Sequence, residues 1–207
     1  ELRELSYMGA TVLHEDSIFP VKFAGIPINI RNTNRPEDIG TMIVTSTEGY
    51  RTDDIITGIA GKKGFAVIRI EKDMMNQEAG FGMRVLKVFS DLGLNFEHLP
   101  SGIDTMCVVI SAEDIKGREK EILKSISLAC EPDNMDIEYS MALIAIVGRN
   151  MPGMPGTAAR IFSSLAREGI NIRMIDQGGS ELNIIVGVDE VHYSDAIKTI
   201  YNEFCNG

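Results

Sequence analysis

Tryptophan is absent from this 207-residue chain, and aromatic residues of all kinds make up only 6% of it. Its core must therefore be aliphatic, and 11 methionines within a 44% hydrophobic content supply the material. Cysteine is scarce: Cys107, Cys130 and Cys205, an odd number without C-x-x-C spacing. That argues against a disulfide framework and points to free thiols in a reducing, cytoplasmic setting. Cys107, inside an apolar strand pattern, reads as a small core residue. No apolar run approaches the roughly 20 residues of a membrane span. Basic residues are outnumbered, 20 Lys and Arg against 30 Asp and Glu, for a formal charge of −10. That sign argues against nucleic acid or an anionic membrane as a main partner. The opening "ELRELSYMGA" has neither an initiator Met nor a secretory signal, so the first residue is expected not to be the natural start.

Catalytic motifs are also missing. Gly80-Phe81-Gly82 begins like a dinucleotide fingerprint, but position 85 is Val, where the last Gly belongs. There is no G-x-x-x-x-G-K-[ST] phosphate loop and no G-x-S-x-G. His14, His98 and His192 lie far apart, and no Cys/His group has zinc spacing, so no metal site is expected.

What the chain does have is a repeat. Met75, Gly80, Gly93 and Asn95 match Met151, Gly156, Gly169 and Asn171, each pair 76 residues apart with no gap. The first copy reads as a strand near 64–71 and a helix near 80–92, with Phe81, Val85, Val88, Phe89 and Leu92 on one face. Gly93 stands where a helix end favours a left-handed residue. Strands near 94–99 and 104–111, a helix near 115–130 bearing Ile122, Leu123 and Ile126, and a strand at 135–139 complete a βαββαβ order. The second copy starts with "MALIAIVG" (141–148). Its first helix begins near Pro155 and buries Ala158, Ile161, Phe162 and Leu165. Strands near 170–176 and 181–188 and a helix near 192–204 follow. This copy is one strand short, whereas "IITGIAG" (55–61) is one strand too many before the first. Either that strand enters the sheet of the second copy and interlocks the two, or it merely extends the sheet of the first. Upstream, residues 1–11 have helical spacing, while "IPINIRNT" (26–33) and "TMIVTS" (41–46) read as strands. A domain boundary is expected in the polar "TEGYRTDD" (47–54).

The two copies are lined differently. In the first, the glycines flanking Phe81 let backbone N–H groups approach a ligand at a helix start, where an anion is favoured. Facing it are Glu97, His98, Ser101 and Asp104, groups able to hold an ammonium. An anion site beside a cation site suits a free amino acid. In the second copy Arg173 replaces Glu97 and Ser180 replaces Asp104, so an amine is less well served. The alternative stays open that these glycines only make a tight turn and the acids are solvated.

The repeat, carrying "GLNFEHLPSGIDTMCVVI" and "GINIRMIDQGGSELNIIV", resembles tandem ACT domains, a family that binds small molecules, usually amino acids, at domain or subunit interfaces. The N-terminal stretch resembles the end of the catalytic domain of aspartate kinases. The matching elements are Glu4-Leu5-Ser6-Tyr7-Met8-Gly9-Ala10, Val12-Leu13-His14, Ile26-Pro27-Ile28, Arg31-Asn32-Thr33 and Gly40-Thr41, and "ITGIAGKKGFAVIRIEK" resembles the junction that follows. Glu15 departs from the family, many of whose members have Pro after the His.

The resemblance implies an α+β chain: residues 1–50 the tail of an α/β amino-acid-kinase domain, 62–139 a first ferredoxin-like ACT domain, and 140–207 a second completed by strand 55–61. It implies that the intact protein phosphorylates aspartate with ATP and Mg, on the way to lysine, threonine and methionine. This chain alone, without the family's Lys-Phe-Gly-Gly stretch, is expected to be inactive and to carry no cofactor. Arg31, Asn32 and Thr33 are expected near the nucleotide of the intact enzyme, or else simply at a strand end. By the same resemblance an effector, lysine first and threonine (alone or with lysine) second, sits between first ACT domains of a homodimer. It contacts Met75, Asn76, Gly80, Phe81, Gly82, Asn95, Phe96, Glu97 and His98, with Ser101 and Asp104 nearby. A dimerisation module with empty grooves is the competing reading.

Overall fold

The computed structural model describes residues 1–9, 15–44 and 54–205. In chain order the elements are α1 (Leu2–Tyr7), α2 (Glu15–Phe23), β1 (Ile28–Ile30), β2 (Thr41–Ile43), β3 (Gly58–Glu71), α3 (Phe81–Asp91), β4 (Thr105–Ser111), α4 (Ala112–Ile115), α5 (Glu119–Cys130), β5 (Asn134–Val147), α6 (Thr157–Arg167), β6 (Ile172–Asp176), β7 (Asn183–Asp189) and α7 (Tyr193–Cys205). The expected boundary at 47–54 lies almost wholly outside the described residues, as do Val12, Leu13 and His14.

The 76-residue repeat is written into the backbone. Gly80 and Gly156 stand at the N-caps of α3 and α6 with φ of +80° and +89°. Gly93 and Gly169 follow the two helices with φ of +67° and +68°. Such angles suit a residue without a Cβ, which is why glycines hold the spacing. Met75 and Met151 are both buried, each under the helix start of its own copy.

Two 14-residue strands, β3 and β5, tie the copies together. Phe65–Glu71 of β3 pairs with β4 on one side and with the first half of β5 on the other. Gly58–Lys62 pairs instead with Leu143–Val147, the half of β5 that also pairs with β7. The start of β3 therefore fills the missing fourth position of the second copy, and the copies are interlocked. "IITGIAG" is not a separate strand, and neither are 135–139 and 141–148: each merges into one long strand. The merging is made possible by bulges, where an extra residue bends a strand. Register breaks between Lys62 and Phe65 and between Phe65 and Val67. Gly64 (φ +90°) and Ser140 (φ +61°) take up the turn.

The strand order is β4-β3-β5-β7-β6, with residues 98 and 101 bridged to the outer side of β4. Laid flat, those edges would be about 24 Å apart at about 4.8 Å per strand. Yet His98 at one edge and Asp176 at the other lie 2.5 Å apart, Nδ1 to Oδ2. The sheet is therefore rolled. Inside the roll, Phe65 and Val109 of the first copy meet Leu143, Ala145, Val147, Met174 and Ile185 of the second. Outside it, Ala66, Ile68 and Ile70 pack under α3 and α5, while Ala142, Ile144 and Ile146 pack under α6 and α7. Helix α1 sits against the inner cluster through Leu5 and Met8.

Several local expectations need correction. Residues 94–99 hold a single isolated bridge, at His98, rather than a strand, because Glu97 and His98 together oppose Val109. The 115–130 helix is broken at Gly117, whose φ is +77°. The first helix stops at Tyr7, and α2, with Pro20 inside it, forms where the sequence has no clear helical periodicity.

Candidate functional site

The start of α3 is shaped by a short 3-10 turn, Met75–Gln77, that leads into Gly80. Asn76 and Gly80 are exposed, Phe81 is buried, and Gly82 lies over Met106, whose Cε a Cβ at position 82 would meet at 3.9 Å. Gly80 offers no side-chain cap. The first N–H groups of a helix have no partner within it; that of Phe81 reaches the carbonyl of Glu78 at 3.2 Å. The loop is held from beneath. Lys72 Nζ lies 2.8 Å from Glu78 and donates to the carbonyl of Cys130 at 2.7 Å, and Arg84 pairs with Glu78 and donates to Ala129. The Lys72 hydrogen bond, foremost, holds the Glu78 carboxyl below the usual carboxylate range.

Ser101 belongs to this neighbourhood, since it is bridged to Met106, the residue under Gly82. Its hydroxyl donates to Leu99's carbonyl at 3.2 Å. Asp104 is exposed, and its carbonyl accepts from the N–H of Lys72 at 2.9 Å. Asn95 and Phe96 are exposed on the same edge.

Glu97 and His98 point elsewhere. The N–H of Glu97 donates to the carbonyl of Val109 at 2.8 Å, and the N–H of Val109 donates to the carbonyl of His98 at 2.9 Å. Two residues opposite one make a bulge, and a bulge re-aims side chains. Both follow Val109 toward the inside of the roll. His98 reaches Asp176 of the second copy, and Glu97 accepts a 2.5 Å hydrogen bond from the hydroxyl of Tyr7 on α1. Within one chain, then, Glu97 and the N–H groups of residues 80–82 are not brought together. They serve opposite faces of the sheet.

Simple counting in the sequence also missed the polar seam between the copies. Arg69 holds Asp136 with two bonds, of 2.8 and 3.0 Å, and Arg173 holds Glu138 at 2.6 Å and Asp189 at 2.9 Å. Arg173 is thus occupied by two carboxylates. It lines an open cleft of ≈ 730 Å³ together with Glu138, Tyr139, Asn171, Ile172 and Asp189. The 76-residue offset from Asn95 and Glu97 points to Asn171 and Arg173, but only the rolled sheet brings Glu138 and Asp189 beside them.

Arg31 donates to the carbonyls of Pro36 (2.5 Å) and Asp38 (2.8 Å), and the side chain of Asn32 accepts from the N–H of Asn34 at 2.9 Å. Arg31, Asn32 and Thr33 are exposed, at the turn that follows β1. Among the described residues no group of three or more His, Cys, Asp or Glu could hold a metal, and no helix is long and apolar enough to cross a membrane. Burial pushes the thiols of Cys107 and Cys130 up.

An ACT-domain family model matches residues 144–204, most of the second copy. Aspartokinase 3 of Bacillus subtilis is 39% identical over 208 residues, covering 100% of this chain and 45% of that protein. The crystal structure of Clostridium acetobutylicum aspartate kinase, described as an allosteric enzyme, is 52% identical with a TM-score of 0.92, over 99% of this chain and 47% of that one. E. coli aspartokinase III, solved in complex with lysine and aspartate, shares the fold at 20% identity and a TM-score of 0.76, over 98% of this chain and 44% of that one. The chain thus spans somewhat under half the length of these three relatives. Along its whole length the chain is similar in sequence and fold to aspartate kinases, and together with the ACT-domain match this supports an aspartate kinase regulatory region.

Proposed function

We propose that this chain is the feedback-sensing part of an aspartate kinase. Its first copy takes an end-product amino acid, lysine first, at an interface with the first copy of a second chain. The observation that carries this reading is the asymmetry between the copies. In the first, an uncapped glycine-flanked helix start lies over Met106 of β4, and a carboxylate, Glu97, is carried by the segment paired to the outer side of β4. In the second, the counterpart of Glu97 is Arg173, already bound to Glu138 and Asp189. The fold shared with an E. coli enzyme solved with lysine and aspartate supports lysine as the first choice.

Two chains are invoked for a geometric reason. The helix start and Glu97 serve opposite faces of one copy, so a ligand held by both needs a partner's surface. Met74, Met83, Phe96 and Ile103 are exposed around this edge. Such an apolar collar is suited to being covered. The ligand carboxylate then rests on the N–H groups of residues 80–82, within a loop made by Met75 and Asn76, and an amine rests on Glu97. Asn95, Phe96, His98, Ser101 and Asp104 line the remainder.

In the intact protein this module biases an ATP- and Mg-dependent phosphorylation of aspartate, in a cytoplasmic setting, and the 207-residue chain alone is inactive. Inhibition requires that the effector bind the inactive arrangement more tightly than the active one. Threonine, alone or with lysine, is the second choice, and a dimerisation module with empty grooves the competing reading. Calorimetric titration with lysine, threonine and methionine, singly and in pairs, decides among them. Lysine heat that Glu97→Ala abolishes supports the reading; a folded dimer that binds none of the three refutes it.

A further inference from the structure

Helix α1 is tied to both copies of the repeat. At its start, Glu1 accepts from the hydroxyl of Thr57 at 2.8 Å and pairs with Arg149 at 2.5 Å, and Glu4 accepts from Asn183 at 2.9 Å. Arg149 and Asn183 belong to the second copy. Leu5, and Met8 just past the end of the helix, pack on the inner cluster, which holds residues of both copies. At its end, the hydroxyl of Tyr7 donates to Glu97 of the first copy at 2.5 Å. Tyr7 and Glu97 are 90 residues apart in sequence, so this bond reports how the first copy sits against α1.

Glu97 therefore has two claims on it. The bulge opposite Val109 turns its carboxylate inward, where a phenol takes it. The helix start that would receive an amino acid's carboxylate lies on the outer face, over Met106. Met106 and Val109 are three residues apart on β4, about 10 Å along the strand. A carboxylate held by Tyr7 is turned toward α1; to take the amine of a ligand seated between the first copies of two chains it must change rotamer, and the change breaks its bond to Tyr7. His98, the other bulge residue, stays anchored to Asp176, so the backbone holds while Glu97 turns.

We propose that Tyr7 is a release catch: an amino-acid effector recruits Glu97 only by displacing the Tyr7 hydroxyl, so that binding removes the polar tie between α1 and the first copy and loosens the end of α1, while its ties to the second copy remain. This rests on the reading of the first copy as an amino-acid site and adds how occupancy is passed to the N-terminal segment. Tyr7 is 52% exposed, so water has access to its hydroxyl when Glu97 turns away and the catch can open. The same competition lowers effector affinity in the resting state.

The test pairs the wild-type chain with Tyr7→Phe, which keeps the ring and removes the donor. Lysine, then threonine, is titrated calorimetrically, and amide exchange is followed at Leu5, Met8 and Gly9, whose N–H groups donate to carbonyls within α1. Tyr7→Phe is expected to bind lysine about tenfold more tightly, as loss of one charge-assisted competitor allows. Lysine should speed exchange of α1 in the wild type and leave it unchanged in Tyr7→Phe, where the bond to Glu97 is already absent. Equal or weaker affinity in Tyr7→Phe, with α1 exchange in the wild type unaffected by lysine, overturns the catch and leaves the amino-acid reading standing. Absence of binding to either protein overturns both.

Discussion

Replacing Gly148 with Ala is the sharpest probe of the interlocked sheet. Gly148 directly follows β5, and the chain entering β3 passes directly over it. A Cβ there would lie 2.2 Å from the carbonyl oxygen of Ile55, 2.7 Å from the Cα of Ile56 and 3.0 Å from Cγ of Met151. The two nearest atoms are backbone and cannot swing aside as a side-chain tip can. Relief therefore requires residues 55–57 to lift, and with them the 2.7 Å bond from the N–H of Thr57 to the carbonyl of Val147. Overpacking of this kind costs about 1–3 kcal/mol, and a backbone clash belongs at the upper end. For a chain of this size about 3 kcal/mol lowers Tm by about 6–12 °C. Gly178→Ala is the control, since nothing lies within 4 Å of its Cβ position and its φ is not positive. Thermal unfolding of the two variants beside the wild type is the assay. If Gly148→Ala unfolds within about 1 °C of Gly178→Ala, residues 55–56 are not pinned on the second copy and the interlock is refuted.

The inner cluster gives a second stability prediction: Leu143→Ala, at a fully buried position between the two halves of the roll, should cost about 2–5 kcal/mol by urea unfolding. Thiol labelling should show one fast cysteine, abolished by Cys205→Ser, because Cys205 is exposed while burial pushes the thiols of Cys107 and Cys130 up. The Glu203 carboxyl is held below its ordinary value of 4.5 by its hydrogen bonds to Arg160 and Arg167. A depressed carboxyl stabilises the fold above its unfolded value and loses that contribution as pH falls through the folded one. The Arg160–Glu203 tie between α6 and α7 should therefore persist at pH 5 and weaken only below about 4.5. A carboxyl NMR titration that found Glu203 at or above its ordinary value would contradict this.

Much of the architecture was legible because glycines and apolar spacing encode it locally. Gly80, Gly93, Gly156 and Gly169 all have positive φ, and Phe81, Val85, Val88 and Phe89 form the buried face of α3 that their spacing requires. The missing strand of the second copy was legible by counting. What was not legible depends on contacts far apart in sequence. Strand alternation places Glu97 and His98 on opposite faces, but the bulge opposite Val109 puts both on one. Nothing local marks it, since it exists only against β4. The bond between His98 and Asp176 and the network from Arg69 to Asp189 likewise appear only once the sheet rolls. The rolling itself is driven by bulges at Gly64 and Ser140, and Ser at positive φ is not a residue that announces a bend. The candidate effector residues thus separate into a helix-start group around Met106 and an inward pair, a division that a list of sequence positions hides.

The central claim is that the first copy senses and the second holds the assembly together. Amide chemical-shift mapping of the 207-residue chain during a lysine titration tests it most directly. The account predicts saturable shifts concentrated at residues 75–82 and 95–104, with the corresponding stretches 76 residues later, 151–158 and 171–180, nearly still. Shifts centred on the second copy around Asn171 and Arg173, or none at any lysine concentration in a folded dimer, would contradict it.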